Sequence, residues 1–425
     1  MSKYQILYKN KDTRYWMVYN CNNYKTIFTY NKGVPVANII HHSNSIYNHL
    51  KQLKLGFFLS DVYMGHLLAI ITSVFLRGYK GKTIDFAETG SCHRTTVAHF
   101  LNHGKWDDRK LQDILKSCVL HVIYKEAIRS KQPILCIVDD TIASHTKPSS
   151  QAEHPIEAAY FHQSHLKGRQ DYGHQIVSVM LSCNGITLNY AVILYDKSKS
   201  KIEIVQEIAR ELPQAPVISY FLCDSWYTSV KVMDSFAQKG FYTIGALKTN
   251  RILYPCGIRQ KASEFALHLR KTDPNVNLVT VGNREFYVYR YEGELNDIPN
   301  AVVLISYPKE AFGNAKALRV FISTNVGLST QNILEEYIKR WPIELFFRHS
   351  KSKLALDKYQ IRSKKGIQRY WLLMSLVHYM CCMHSGTYCT FEEGYRYFQL
   401  KTRQEQIENL YRCVKNVCRL KNCND

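Results

Sequence analysis

Apolar and polar positions in the middle of the chain predict strands and helices in turn. PILCIVDDT (133–141) is an apolar, β-branched run that ends in acids, and VISYFLCDSWY (217–227) has the same form, so both predict buried strands. Between them, two apolar runs flank Asn184-Gly185, a dipeptide that strongly predicts a two-residue β-hairpin. The amphipathic SKIEIVQEIARELP and the stretch after the second strand predict helices. The pattern as a whole predicts an α/β fold.

A dense run of short β-branched and aromatic segments, such as LVTVGNREFYVYRY and AVVLISYP, fills residues 245–324. We expect a β-rich insertion that leaves the sheet after Asp224 and returns before the next helices. Helical patterns resume over residues 325–385 and 386–425. Pro342 lies within them and is expected to kink its helix or split it in two, because proline lacks the N–H that an inner turn uses.

The N-terminal region, residues 1–128, is mostly helical in pattern after an irregular start. Within it, TIDFAETGSCHRTTVAHFLNHGKW predicts a helix-turn-helix near residues 83–103, with Thr89-Gly90 as the turn and Ser91 capping the second helix. Val97 and Leu101 would share the buried face of that helix. A recognition helix would direct the other side chains to DNA: His93, Arg94, Thr95 and His99. The alternative is a helical hairpin with a glycine turn.

The charge of the chain is strongly unbalanced. Fifty-six Lys and Arg against 35 Asp and Glu give a formal net charge of +21, and the sequence pI is about 9.3. Such a chain attracts a polyanion, and nucleic acid is the commonest polyanion in a cell. An anionic membrane is the competing partner, but the sequence has no basic amphipathic helix or lipid anchor for it. A basic surface without a partner is the remaining alternative.

Targeting and metal-binding patterns are weak. The first residues lack the apolar segment of a signal peptide, and no apolar run is long enough for a membrane span. The 13 cysteines are scattered, as expected for reduced thiols in the cytoplasm. Two further sets of residues have spacings that fit no usual zinc site: Cys413, Cys418 and Cys423, and His154, His162, His165 and His174.

Three acidic residues are candidates for catalysis: Asp140, Asp224 and Glu344. The first two lie at the ends of predicted strands, where open α/β sheets place their sites. A poorly solvated carboxylate needs a compensating cation, and Mg²⁺ or Mn²⁺ prefers oxygen ligands. For each acid taken alone, a strand that simply ends in Asp is the alternative.

One narrow stripe of a predicted helix carries a phenol, a guanidinium, a carboxylate and an ammonium: Tyr337, Arg340, Glu344 and Lys351. A solvated face with a few salt bridges is the alternative. The crowding of Trp341, Phe346 and Phe347 into the same two turns favours a shaped site.

These motifs resemble those of the cut-and-paste transposases of bacterial insertion sequences. Y-x2-R-x3-E-x6-K is the signature of that family, and YIKRWPIELFFRHSK (337–351) fits it at every defined position. DDT (139–141) is similar to the family's first Asp motif and CDSWY (223–227) to its second. The resemblance covers about residues 131–380, with three motifs in the family's order.

The resemblance implies a ribonuclease H-like catalytic core with a β-rich insertion and a helical N-terminal DNA-binding region. It assigns Asp140, Asp224 and Glu344 to a metal-binding DDE triad. Neighbouring residues on a strand point to opposite faces, so only one of Asp139 and Asp140 can face the site. The resemblance implies that the catalytic Asp lies directly before Thr, which selects Asp140.

The resemblance also implies DNA contacts from Tyr337, Arg340 and Lys351 near the scissile phosphate. Their chemistry suits this role, because Arg forks onto phosphate and Lys supplies a point charge. Trp226 lies just after Asp224, where it would either stack on a displaced base or belong to the core.

The implied reaction is phosphoryl transfer with two Mg²⁺ or Mn²⁺ ions, which cuts the transposon end and joins its 3′-OH to target DNA. The expected partners are double-stranded DNA, as terminal inverted repeats and target, and a second copy of the chain in a homodimeric synaptic complex, without a membrane. We expect the protein at the nucleoid of the bacterial cytoplasm. Two alternatives stay open, a catalytically silent transposase derivative and another ribonuclease H-like nuclease.

The expected domain organisation starts with a DNA-binding region at residues 1–128. A catalytic core follows in two segments, residues 131–244 and 325–385, with the β-rich insertion at residues 245–324 between them. A helical C-terminal segment covers residues 386–425.

Overall fold

The structure is a computed structural model of the 425-residue chain. It describes residues 5–10, 14–21, 24–31, 34–38, 44–77, 82–90, 93–152, 155–164 and 167–421. The chain divides into two compact units. Unit 1 comprises Met1–Leu115, Ala143–Glu157 and His349–Asp425, and unit 2 comprises Lys116–Ile142 and Ala158–Arg348.

The described helices, in chain order, are α1 (Asn44–Gln52), α2 (Asp61–Arg77), α3 (Thr83–Gly90), α4 (Arg94–Asn102), α5 (Asp108–Ser130), α6 (Lys201–Glu211), α7 (Val230–Ala237), α8 (Ala262–Ala266), α9 (Thr330–Ile338), α10 (Pro342–Lys353), α11 (Lys364–Cys382) and α12 (Phe391–Lys421). The described strands are β1 (Gln5–Asn10), β2 (Arg14–Cys21), β3 (Tyr24–Asn31), β4 (Val34–Asn38), β5 (Leu135–Ser144), β6 (Tyr160–Ser164), β7 (Arg169–Cys183), β8 (Ile186–Tyr195), β9 (Ser219–Cys223), β10 (Phe241–Ala246), β11 (Ile252–Leu253), β12 (Gln260–Lys261), β13 (Val276–Val281), β14 (Arg284–Leu295), β15 (Ile298–Pro308) and β16 (Arg319–Ser323).

The start of unit 1 differs from the prediction. Strands β1 to β4 form an antiparallel sheet in sequential order, so the irregular start predicted for the mostly helical region 1–128 is wrong. The segments RYWMVYNC and YKTIFTYN are rich in aromatic and β-branched residues, which favour strands.

The predicted helix pair is present as α3 and α4, with different boundaries. Helix α3 runs through the predicted turn to Gly90, and the His93 side chain caps α4 by accepting from the Thr95 N–H. The predicted cap, Ser91, lies outside the described residues. Val97 and Leu101 are buried as predicted, while Arg94 is exposed on the first turn of α4.

A buried arginine fixes the C-terminal end of α4. Arg369 on α11 is 1% exposed, stacks on the Trp106 ring at 4.5 Å and donates at 2.8 to 3.4 Å to four carbonyls, those of Phe100, Leu101, Gly104 and Trp106. Because carbonyls at a helix end have no partner within the helix, this guanidinium satisfies groups that would otherwise be buried alone.

Unit 2 is built on a mixed sheet of twelve described strands. Its main order is β12-β11-β14-β15-β16-β10-β9-β5-β7-β6, with β13 paired to β14 and β8 paired to β7. Strands β5, β9 and β10 are parallel neighbours, and β7 and β8 form the predicted hairpin. Asn184 and Gly185 have φ of 48° and 82°, as this type of two-residue turn requires.

The region predicted as an insertion is β-rich but does not leave the sheet. Strand β16 pairs antiparallel with β10, and β15, β14, β11 and β12 extend the same sheet from there. Pairing with β16 covers the edge that β10 would otherwise expose. The domain boundaries differ as well, since residues 349–385 belong to unit 1 rather than to the unit that holds the sheet.

Pro342 splits the predicted helix into α9 and α10, as expected. It occupies the first position of α10, where the missing N–H costs nothing. Helix α12 agrees with the predicted helical C-terminal segment. Among the described residues, no helix is long and apolar enough to span a membrane.

Candidate active site

Two neighbouring parallel strands bring acids to one edge of the sheet. Strands β5 and β9 are in register up to the pair Val138 and Cys223. Asp139 on β5 and Asp224 directly after β9 are the next residues, so the two acids lie side by side at this edge. The carboxyl edge of parallel strands is where α/β sheets place their sites.

Strand alternation separates Asp139 from Asp140. Leu135 and Ile137 on β5 pack in one core cluster with Ile343 and Phe346 of α10. Because side chains alternate along a strand, Asp139 shares the side of Leu135 and Ile137, and Asp140 lies on the other. Asp139 therefore faces the side on which α10 packs.

Arg340 joins two of the acids. Its guanidinium donates to Asp139 Oδ2 at 2.7 Å and to Glu344 Oε1 at 2.5 Å. The Arg340 side chain is 16% exposed and that of Glu344 is 35% exposed. Charge-assisted hydrogen bonds with this little water are strong and directional, so they fix Glu344 relative to Asp139.

Asp140 has a separate set of partners. Its Oδ1 accepts from the Tyr227 hydroxyl at 2.8 Å and from Lys201 Nζ at 3.0 Å, and its Oδ2 accepts from the Gln175 amide at 2.5 Å. No sequence motif marks Gln175 or Lys201, whereas Tyr227 belongs to the CDSWY segment. Asp140 is thus compensated by a cation other than Arg340.

Burial shifts the pKa of the acids at this edge. It raises the pKa of Asp139 to about 6, with Arg340 opposing the shift and Asp224 adding to it. Burial also raises the pKa of Asp224, whose Oδ1 accepts the Trp226 N–H at 2.9 Å. A neighbouring negative charge and a low dielectric both disfavour the ionised form. The cluster is therefore short of positive charge.

The signature residues do not lie on one continuous helix, so the predicted stripe is wrong in that respect. Tyr337 belongs to α9, Arg340 to the turn before Pro342, and Glu344 and Lys351 to α10. The Tyr337 ring packs on the Phe321 ring with their centroids 4.7 Å apart. The Arg340 guanidinium lies 6.0 Å from the centroid of the Tyr337 ring. Splitting the helix at Pro342 removes the regular 100° spacing on which the stripe depended.

The donor set fits a divalent metal in its chemistry. It offers carboxylate oxygens, which Mg²⁺ and Mn²⁺ prefer, and a charge deficit that a cation would relieve. As the side chains stand, no three His, Cys, Asp or Glu residues in the described part of the chain are grouped to hold a metal. Arg340 pairs with Asp139 and Glu344, and Lys201 pairs with Asp140.

His162 and His174 are buried in strands β6 and β7. His154 and His165 lie outside the described residues, as do the side chains of Cys413, Cys418 and Cys423.

Comparison with known protein families assigns the chain to a family. No curated protein is similar enough to the chain to count as a relative. Residues 130–380, more than half of the 425 residues, match the family model described as the transposase DDE domain. That range contains the sheet edge with its acids and the helix that carries Glu344. Members of this family use divalent metal ions and act on DNA, and this chain belongs to the DDE transposase family.

Proposed function

We propose that this protein is a transposase that binds the ends of a DNA element, cleaves them and joins the 3′-OH end to target DNA. The observation that carries the proposal is the Arg340 bridge between Asp139 and Glu344, at the sheet edge that also holds Asp224. The bridge supports a single site built from three distant segments of a chain in the DDE transposase family.

The sheet supports a ribonuclease H-like core. The strands run β8-β7-β5-β9-β10 across the sheet, with the hairpin strands on one side of β5 and two parallel strands on the other.

We assign the metal ligands to Asp139, Asp224 and Glu344, and not to Asp140 as the sequence resemblance suggested. Asp139 faces α10 and is tied to Glu344, whereas Asp140 is tied to Lys201 and Tyr227. Bound Mg²⁺ or Mn²⁺, two ions by resemblance to the family, would supply Lewis acidity at the scissile phosphate and lower the pKa of water there. Asp140 holds Lys201 and Tyr227 in place next to the acids.

The cations around the acids bind and orient DNA. Arg340 holds two carboxylates, and the same planar fork suits a phosphodiester once a metal has taken over those carboxylates. Tyr337 fixes the Arg340 side chain from the α9 side. Lys351 on α10 and Arg94 on α4 are proposed as further contacts with the DNA backbone, from the signature and from the predicted recognition helix.

A second copy of the chain is the proposed protein partner. Helix α12 exposes apolar side chains at intervals of seven, four and three residues, as along one face of a coiled coil: Leu400, Ile407, Tyr411 and Val414. In a parallel pair that begins at Leu400, Arg403 of one copy would lie opposite Glu408 of the other. One heptad earlier, the residues at the same two positions are Arg396 and Lys401, which would repel each other across the pair. The paired segment is therefore expected to begin at Leu400.

The direct test of the function replaces Glu344 with Gln and measures DNA binding and strand cleavage separately. The substrate is a plasmid that carries the gene with its flanking DNA, incubated with Mg²⁺. We expect cleavage to fall by about three orders of magnitude or more while binding survives, because phosphate contacts supply most of the affinity. Normal cleavage by Glu344→Gln would contradict the acid assignment. A parent protein that binds but never cleaves would favour the silent derivative, and cleavage without joining would favour another nuclease.

A further inference from the structure

An exposed tryptophan lies directly beside the acids. Trp226 is 51% exposed, and its backbone N–H donates to Asp224 Oδ1. Trp106 and Trp371 are 5% and 1% exposed, whereas Trp341, in the turn before α10, is 50% exposed. Trp226 therefore does not belong to the core, and its indole presents a large aromatic surface next to the acids.

Two lysines approach the same ring. Lys201 Nζ lies 4.5 Å from the centroid of the Trp226 ring and Lys248 Nζ lies 5.1 Å from it. Lys201 is also held by Asp140, whereas Lys248 is exposed and forms no ion pair with a described acidic residue. The two ammonium groups therefore bring positive charge next to the Trp226 ring, and the neighbouring acids neutralise only part of it.

Packing at the sheet edge holds the Trp226 loop in place. Strands β9 and β10 pair up to Cys223 and Gly245. Trp226 lies in the loop directly after β9, and Lys248 lies just after the end of β10. A Cβ at Gly245 would lie 2.6 Å from Thr228 Cγ2 and 3.0 Å from Cys223 Sγ. Only glycine leaves room for the loop here, so the position of Trp226 is built into the fold.

We propose that Trp226, Lys201 and Lys248 form a binding site for an unpaired DNA base and the phosphates next to it. The inference rests on the proposed function, because it places this base beside the strand that is cut. An unpaired base would stack on the indole, and the two ammonium groups would exchange their contact with the ring for contacts with phosphate. A base inside a duplex is already stacked on its neighbours and cannot use the site.

The experiment measures binding of two short duplexes of the same sequence, one fully paired and one with a central mismatched bubble, without divalent metal. We expect the parent to prefer the bubble. Trp226→Ala should lose about tenfold in affinity for the bubble, as expected for loss of one stacked base, and should keep its affinity for the paired duplex. Trp226→Phe, which retains an aromatic ring, should keep most of the preference.

Trp226→Leu preserves apolar bulk without an aromatic ring and should behave like the Ala variant, which guards against loss of folding. Tyr242→Ala is the matched control, since Tyr242 is 41% exposed in the first half of β10, and it should change neither affinity. Lys248→Ala should weaken binding of the bubble and make that binding less salt-dependent.

The outcomes separate this inference from the proposed function. If Trp226→Ala and Trp226→Leu weaken both duplexes equally or leave the bubble unaffected, the inference is overturned while DNA binding stands. If the parent binds neither duplex at low salt, the proposed function itself fails and the inference falls with it.

Discussion

Asp139 and Asp140 are neighbours in the chain but have different partners, and the difference is a matter of strand alternation. The sequence could not choose between them on physical grounds. LCIV before the acids is apolar at every position because β5 is buried on both faces, so no polar position marks the face of the site. Only the packing of Ile343 and Phe346 against Leu135 and Ile137 does so.

A residue-scale prediction concerns His378 on α11. It is 4% exposed, stacks on Phe391 at 5.1 Å, and burial lowers its pKa to about 3. In the unfolded chain this side chain takes up a proton below pH 6.5, whereas in the folded protein it stays neutral. The stability that depends on neutral His378 is therefore fully present above pH 6.5 and is lost as the pH falls towards 3. At pH 5 the loss from this residue should be about 2 kcal/mol in the free energy of unfolding.

The measurement compares denaturant unfolding of the parent and of His378→Phe at several pH values between 4 and 8. Phe retains the ring stacked on Phe391 but cannot be protonated. We expect a shallower pH dependence for the variant below pH 6.5. Parallel curves for the two proteins would show that His378 does not carry the acid sensitivity.

At the scale of elements, local chemistry was enough where an element is defined by its own residues. The Asn184-Gly185 hairpin, the break at Pro342 and the helix after Ser200, which has a capping box with Glu203, were predicted from such signals. The continuation of the sheet was not, because it depends on the pairing of Ile244 with Ser323, which are separated in the chain by strands β11 to β15. Register between distant strands leaves little trace in either strand alone.

Helix α12 gives the element-scale prediction. Ile407→Asp with Val414→Asp places charge on the exposed apolar stripe and should convert a dimer into a monomer, because burying a carboxylate between two helices is costly. Sedimentation equilibrium of the full chain measures the change. As a control, Arg403→Glu should weaken the dimer and Arg403→Glu with Glu408→Arg should restore it. A parent that is monomeric at every concentration contradicts the proposed pairing.

At the scale of the whole molecule, the net charge of +21 dominates encounter with DNA. We expect affinity for a paired duplex to fall by about three orders of magnitude between 50 and 200 mM salt, as for a protein with several phosphate contacts. Arg340→Ala should reduce the slope of log affinity against log salt by about one. An affinity independent of salt would contradict a phosphate-binding surface.

The division into two compact units was the least predictable feature at this scale. Residues 349–385 read as a continuation of the catalytic helices, but they belong to unit 1, where Arg369 on α11 caps the end of α4. The sequence around a single arginine in an apolar helix does not indicate which backbone carbonyls that arginine will contact in the folded protein. The family match, by contrast, covers both the sheet and these helices, and agrees with the range of the three motifs.

The central claim is that Asp139, Asp224 and Glu344 form one catalytic site, and the most direct measurement compares Asp139→Asn with Asp140→Asn in Mg²⁺-dependent strand cleavage. Both variants should bind DNA like the parent in the absence of metal, which serves as the control for folding. We expect Asp139→Asn to lose about three orders of magnitude or more in cleavage, because a metal ligand's charge is removed. Asp140→Asn should lose about tenfold, because its amide oxygen still accepts from Tyr227 while the ion pair with Lys201 weakens. Normal cleavage by Asp139→Asn together with an inactive Asp140→Asn would contradict the account and return the triad to the one expected from the resemblance.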